Sequence, residues 1–124
     1  MKRILIVEDD PHLRVVIRMV LERAGYDVDE AMHGAAALEA IELQVPDLVI
    51  ADMTMPVMNG PELIDRIQCD PARASIPIVL LSGRQVGPDV SRLVNAVVLK
   101  PFEPADLLAS IDRALHANNG QLAP

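Results

Sequence analysis

The sequence predicts a single α/β domain built on a parallel sheet that is covered on both faces. Three observations carry this. Short apolar runs alternate five times with segments of helical periodicity, which is the pattern of successive βα units. Most of these runs are apolar throughout rather than alternating, as strands buried on both faces are. The chain has 124 residues, a length that gives one domain with a core large enough to need no disulfide or metal staple.

The elements follow in order. Ile4 to Val7 is apolar and β-branched and forms a buried strand that runs into Glu8-Asp9-Asp10. Pro11 suits the first turn of a helix and an acid before it suits the cap. Leu13, Val16, Ile17, Val20, Leu21 and Ala24 then keep helical spacing until Gly25 stops it. Tyr26 to Ala31 reads as a short edge strand around Val28. Gly34 opens a second helix, Ala35 to Leu43, whose alanines favour it. Pro46 ends that connection, and the apolar run Leu48 to Ala51 stops abruptly at Asp52. After a Met/Pro/Asn/Gly loop, Pro61 starts a third helix with Leu63, Ile64 and Ile67 on one face. Asp70 to Ser75 is a polar connection. Ile76 to Leu81 is a further buried strand ending in Ser82-Gly83. Pro88-Asp89 begins a short fourth helix with Val90, Leu93 and Val94. Ala96 to Leu99 is the fifth strand, running into Lys100-Pro101-Phe102. Pro104-Ala105-Asp106 opens a last helix that buries Leu107, Leu108, Ile111 and Leu115. The domain is expected over 1–117, with a flexible tail or the start of a linker over 118–124.

Composition narrows the function classes. The chain is 51% apolar and 23% charged, with a net charge of −7. That balance argues against a domain that itself grips nucleic acid, which needs a basic face. The lone Cys69 allows no internal disulfide, which fits a reducing compartment; it is expected to be a small packing residue on the third helix. The basic start, Met1-Lys2-Arg3, is followed by an apolar run too short for a signal peptide, and no run spans a membrane. The expected setting is the cytoplasm.

In a parallel sheet all strand C-termini share one edge, where open α/β folds bind their ligands. Glu8, Asp9, Asp52, Ser82 and Lys100 are therefore expected to meet there. Each has an ordinary reading by itself: helix cap, strand end, loop hydroxyl, solvated charge. Together they are a chemistry. Clustered carboxylates call for a cation, and an all-oxygen set favours Mg²⁺, or Mn²⁺, over zinc. A hydroxyl and an ammonium beside them are donors that suit a phosphoryl group. The predicted site is a carboxylate nucleophile with a metal clamp. The scattered His12, His33 and His116 form no metal cluster. Met53, Met55 and Met58 are expected to pack around the loop.

The motifs Ile4-Leu5-Ile6-Val7-Glu8-Asp9-Asp10, Asp52-Met53-Thr54-Met55-Pro56-Val57-Met58-Asn59-Gly60, Leu81-Ser82-Gly83 and Lys100-Pro101-Phe102 resemble those of response-regulator receiver domains of two-component signalling. The resemblance covers nearly the whole chain and implies the flavodoxin-like strand order 2-1-3-4-5. It implies that Asp52 is the phosphoacceptor for a histidine kinase or a histidine phosphotransfer protein. It makes Glu8, Asp9, Asp52 and the Thr54 carbonyl the Mg²⁺ ligands, Ser82 the hydroxyl that moves toward the phosphoryl group, and Lys100 its cationic partner. Such a domain acts as a phosphoacceptor that turns over only its own phosphate and then alters binding to a downstream effector. The resemblance also implies a cis Lys100-Pro101 bond and a small residue, Gly83, beside the phosphate.

Two departures from the family stand out. The position three before the lysine, often aromatic, is Val97. The segment between Ser82 and Lys100 is about one helical turn short and holds Gly83, Gly87 and Pro88, so the fourth helix is expected to be short and mobile. Two rival readings differ in class. A haloacid-dehalogenase-type phosphatase uses a similar set, but needs an Asp two positions after the nucleophile, where this chain has Thr54. A phosphorylation-independent interaction module would not need the full acid, Asp, Ser and Lys set.

Overall fold

The computed structural model describes residues 1–120, with side chains through residue 116. Among them β1 (Arg3–Val7), β2 (Asp27–Ala31), β3 (Leu48–Asp52), β4 (Ile78–Ser82) and β5 (Ala96–Leu99) form one sheet in the order β2-β1-β3-β4-β5. All four strand pairings are parallel. This is the flavodoxin-like arrangement that the motifs imply. The order reverses between β1 and β3, so the loops after these strands flank the crevice in which such sheets bind ligands.

The helices are α1 (Pro11–Arg23), α2 (Gly34–Leu43), α3 (Gly60–Gln68), α4 (Pro88–Ser91) and α5 (Pro104–Gly120). Helices α2 and α3 cover one face of the sheet, closing Leu5, Val7, Val49, Ala51, Ile78 and Leu80 against Ala37, Ile41, Leu63, Ile64 and Ile67. On the other face α1 and α5 close Ile4, Ile6, Leu48, Ile50, Val79 and Leu81 against Ile17, Leu21, Leu107 and Ile111. Successive strand residues point to opposite faces, which is why strands covered twice are apolar at every position.

Local chemistry sets the helix starts at the ligand edge. Asp10 caps α1 by accepting the His12 N–H, with Pro11 in the first turn. Asn59 and Glu62 form a reciprocal capping box on α3. Gly60 is dictated by close approach: a Cβ there would lie 2.5 Å from the Asp52 carbonyl oxygen. The turn that follows α1 passes through Gly25, whose φ of +95° few other residues adopt. The cap of α2 is one that the sequence reading missed: His33 Nδ1 accepts the Ala36 N–H at 3.0 Å.

Two sequence expectations need adjustment. Strand β4 begins at Ile78 rather than Ile76, because the Ile76 N–H turns back to the Arg73 carbonyl and Pro77 has no N–H to give. Cys69 is exposed just beyond α3 rather than packed, since the apolar face of that helix ends at Ile67. Helix α5 is described through Gly120; residues 121–124 of the tail expected over 118–124 lie outside the described residues. The short fourth helix is borne out. It has 4 residues, no side-chain cap and no fully buried side chain. Its far end is tied down where Gln68 Nε2 donates to the Leu93 carbonyl at 2.8 Å, and where Asn95 exchanges hydrogen bonds with Ile78 at 2.8 and 2.9 Å.

Candidate functional site

Each of the predicted side chains is delivered by the end of a strand. Glu8 follows β1 and is buried; Asp9 beside it is exposed. Asp52 is the last residue of β3 and Ser82 the last of β4, both buried. Lys100 follows β5. One carboxylate oxygen from each of Glu8, Asp9 and Asp52 lies within 4.8 Å of the others.

Asp52 is held from two sides. Its Oδ1 accepts the Thr54 N–H at 3.0 Å and its Oδ2 accepts from Lys100 Nζ at 2.5 Å. Lys100 Nζ is also 3.9 Å from Glu8 Oε1. Glu8 Oε2 accepts the Asp10 N–H at 3.2 Å, but Oε1 is buried without a hydrogen-bond partner.

These contacts separate the two buried acids. Burial, and then the neighbouring Asp52, push the Glu8 carboxyl up to about 8. Burial also acts against ionised Asp52, but Glu8, the Lys100 ammonium and the Thr54 N–H outweigh it and hold Asp52 below its ordinary range. The two carboxyls are thus driven apart, Glu8 toward its protonated form and Asp52 toward its ionised form.

The donor set fits a hard divalent cation. It consists of carboxylate oxygens, two of the acids are buried, and one buried oxygen is unsatisfied. Thr54 lies at the same edge with its N–H on Asp52. The Ser82 hydroxyl faces its own loop: Oγ donates to the Arg84 carbonyl at 2.5 Å and accepts the Arg84 N–H at 3.2 Å. A Cβ on Gly83 would meet nothing within 4 Å, so protein atoms alone do not require glycine there. The Lys100-Pro101 bond is cis, as the motif implies. Met55 is buried in the core and Met53 and Met58 pack against it, as expected. His12 is exposed.

With this geometry in place, the comparison with known proteins is direct. The sequence profile of the response regulator receiver domain matches residues 4–112. The chain belongs to that family. It is 33% identical over 126 residues to the DNA-binding response regulator MtrA of Mycolicibacterium smegmatis, covering 98% of this chain and 54% of that protein. It is 38% identical over 120 residues to the sensor histidine kinase TmoS of Ectopseudomonas mendocina, covering 91% of this chain and 12% of that protein. The fold of this receiver domain superposes on the chemotaxis protein CheY4 of Vibrio cholerae with a TM-score of 0.85 at 28% identity, covering 92% of this chain and 98% of that one. The chain thus spans about half of MtrA and a small part of TmoS. No helix among the described residues is long and apolar enough to cross a membrane.

One residue that the sequence reading passed over also touches this edge. Arg14, on the first turns of α1, reaches back to the Glu8 carbonyl. Helical spacing alone gave it no role, because its partners sit just beyond β1 and on β2.

Proposed function

We propose that Asp52 accepts a phosphoryl group from the phosphohistidine of a sensor histidine kinase or a histidine phosphotransfer protein, and that the phosphorylated domain changes its affinity for a downstream effector. The observation that carries this reading is the setting of Asp52: a buried carboxyl at a strand end with Lys100 Nζ 2.5 Å away, a contact that favours its ionised form. An ionised oxygen is the form that attacks phosphorus. As the Asp52 O–P bond forms, the P–N bond of the donor breaks and its electron pair leaves with the imidazole nitrogen. Lys100 then has a phosphoryl oxygen to pair with, and Ser82 leaves the Arg84 carbonyl for another.

Glu8, Asp9, Asp52 and the Thr54 carbonyl would hold Mg²⁺, or Mn²⁺. The ion would supply charge neutralisation and Lewis acidity at the phosphoryl oxygens. The domain is a phosphoacceptor that turns over only its own phosphate. In this reading it extends over 1–117, works in the cytoplasm, and acts through protein partners rather than by gripping nucleic acid itself, consistent with its charge of −7. MtrA is a DNA-binding regulator, and any such output would belong to sequence outside this domain.

The deciding experiment is intact-protein mass spectrometry after incubation with Mg²⁺ and acetyl phosphate, with Asp52→Asn in parallel. A single phosphoryl adduct that is absent with EDTA and in the variant is the expected result. An adduct that persists in Asp52→Asn would overturn the assignment.

A further inference from the structure

The β1 ladder ends one peptide short of the acidic pair. Its last register pair is Val7 with Ala31, and the Glu8 N–H still reaches the Ala31 carbonyl at 3.1 Å. The next group along the chain is the Glu8 carbonyl, beyond the sheet. Arg14 Nη1 donates to it at 2.8 Å. The same guanidinium donates through Nε to Glu30 Oε1, also at 2.8 Å. Glu30, on the edge strand β2, is paired on its other oxygen with Arg18. The Arg14 side chain is only 17% exposed and that of Glu30 27%.

The peptide unit that Arg14 grips is the one between Glu8 and Asp9. A peptide unit is planar and rigid, so fixing its carbonyl fixes the directions of the Cα atoms at both ends. Those two Cα atoms carry two of the three clustered carboxylates. A guanidinium suits this task because its donors lie in one plane at set angles. Glu30 aims the fork from one side and the Glu8 carbonyl receives it on the other.

We infer that Arg14 is a positioning residue for the metal-binding pair Glu8 and Asp9, aimed by Glu30 and acting through the Glu8–Asp9 peptide. This rests on the reading that the acid cluster binds Mg²⁺. Arg14 touches neither the ion nor the phosphoryl group. It keeps the two acids in the spacing that the cation needs, and it does so from the back of the loop. Without it the Glu8 carbonyl loses its side-chain tether, and the Glu8–Asp9 peptide is held only through the flanking Glu8 N–H and Asp10 N–H bonds.

Mg²⁺ titrations by calorimetry on the wild type, Arg14→Ala, Arg14→Lys and Arg18→Ala test the idea, together with amide NMR spectra of the metal-free proteins. Arg18→Ala removes a second cation from Glu30 without touching the Glu8 carbonyl. The expected result is affinity about tenfold weaker in both Arg14 variants, as for other residues that orient metal ligands, and unchanged in Arg18→Ala. The amide signals of Glu8, Asp9 and Asp10 should shift in the Arg14 variants, with the core signals in place. Wild-type affinity in Arg14→Lys would show that charge suffices and overturn the positioning role, and so would an equal loss in Arg18→Ala. Absence of Mg²⁺ binding by the wild type would instead overturn the functional reading on which the inference rests.

Discussion

Lys100 and Asp52 come from strand ends 48 residues apart and meet at 2.5 Å, with Glu8 3.9 Å from the same ammonium. One cation thus stands between two buried carboxyls. Replacing Lys100 by Met leaves that pair with no positive charge in the metal-free protein. Stability at neutral pH should fall by about 1–3 kcal/mol, the range for stranding a charged hydrogen-bonding partner, reduced by the partial exposure of Lys100. Saturating Mg²⁺ should restore most of it. Urea midpoints with EDTA and with Mg²⁺ measure both, and an unchanged midpoint in EDTA would show that the ammonium is not needed for folding.

Glu8 sets a pH dependence with an unusual sign. Its carboxyl is at about 8 in the folded chain against 4.5 ordinarily. Between these values the unfolded chain has released this proton and the folded chain has not. The folded state holds more protons, so stability declines as pH rises through that window. Asp52 acts oppositely. Its folded value lies below the ordinary 3.8, so its contribution is present above that pH and is lost as the solution is acidified. The metal-free domain should therefore be less stable at about pH 8 than at about pH 5.5, and Glu8→Gln should remove most of the difference. A flat urea midpoint across that range in EDTA would contradict this.

Two glycines at the site edge should respond differently to alanine. At Gly60 the new Cβ meets the Asp52 carbonyl oxygen at 2.5 Å and the Met53 Cα at 3.0 Å. Backbone cannot step aside, so Gly60→Ala should cost about 1–3 kcal/mol, the range for overpacking, and disturb the placing of Asp52. At Gly34 the nearest atom is Met58 Sδ at 2.5 Å, the end of a flexible side chain. Gly34→Ala should be much milder. Thermal denaturation of the two variants side by side checks the order; equal losses would mean that the loop after β3 is more pliant than its contacts indicate.

Hydrogen exchange should divide α4 from its neighbour. Helix α3 buries Leu63, Ile64 and Ile67 and has a capping box, whereas α4 buries no whole side chain and has no cap. Amides over 88–93 should exchange far faster than those over 63–68. Comparable protection in exchange mass spectrometry would rule out a loosely held fourth helix.

Much of this was legible in the residues. Runs such as Ile4 to Val7 and Leu48 to Ala51 announce doubly covered strands because both faces demand apolar side chains, and a parallel sheet then forces their acidic ends together. Asp10 and Pro11 mark the start of α1 by chemistry that acts over a few residues, and Pro61 marks that of α3, although its Asn59–Glu62 capping box went unread. What escaped depends on contacts that no local pattern encodes. The β4 start moved because a turn bond captured Ile76. Cys69 was exposed because the apolar stripe of α3 stopped two residues earlier. The hold of Arg14 on the Glu8 carbonyl requires α1, β1 and β2 to be in place first.

The four residues of α4 leave one further consequence. A crossover that hides no complete side chain contributes little to cohesion, so folding places few demands on its sequence. Apart from Val86 and Val90, which pack half-buried against the core, the residues over 84–93 answer to few contacts within the domain. In a lineage of such chains this stretch is free to drift when partners change, while the strand ends a few ångströms away stay fixed by their chemistry. The two ends of one loop would then evolve at different speeds.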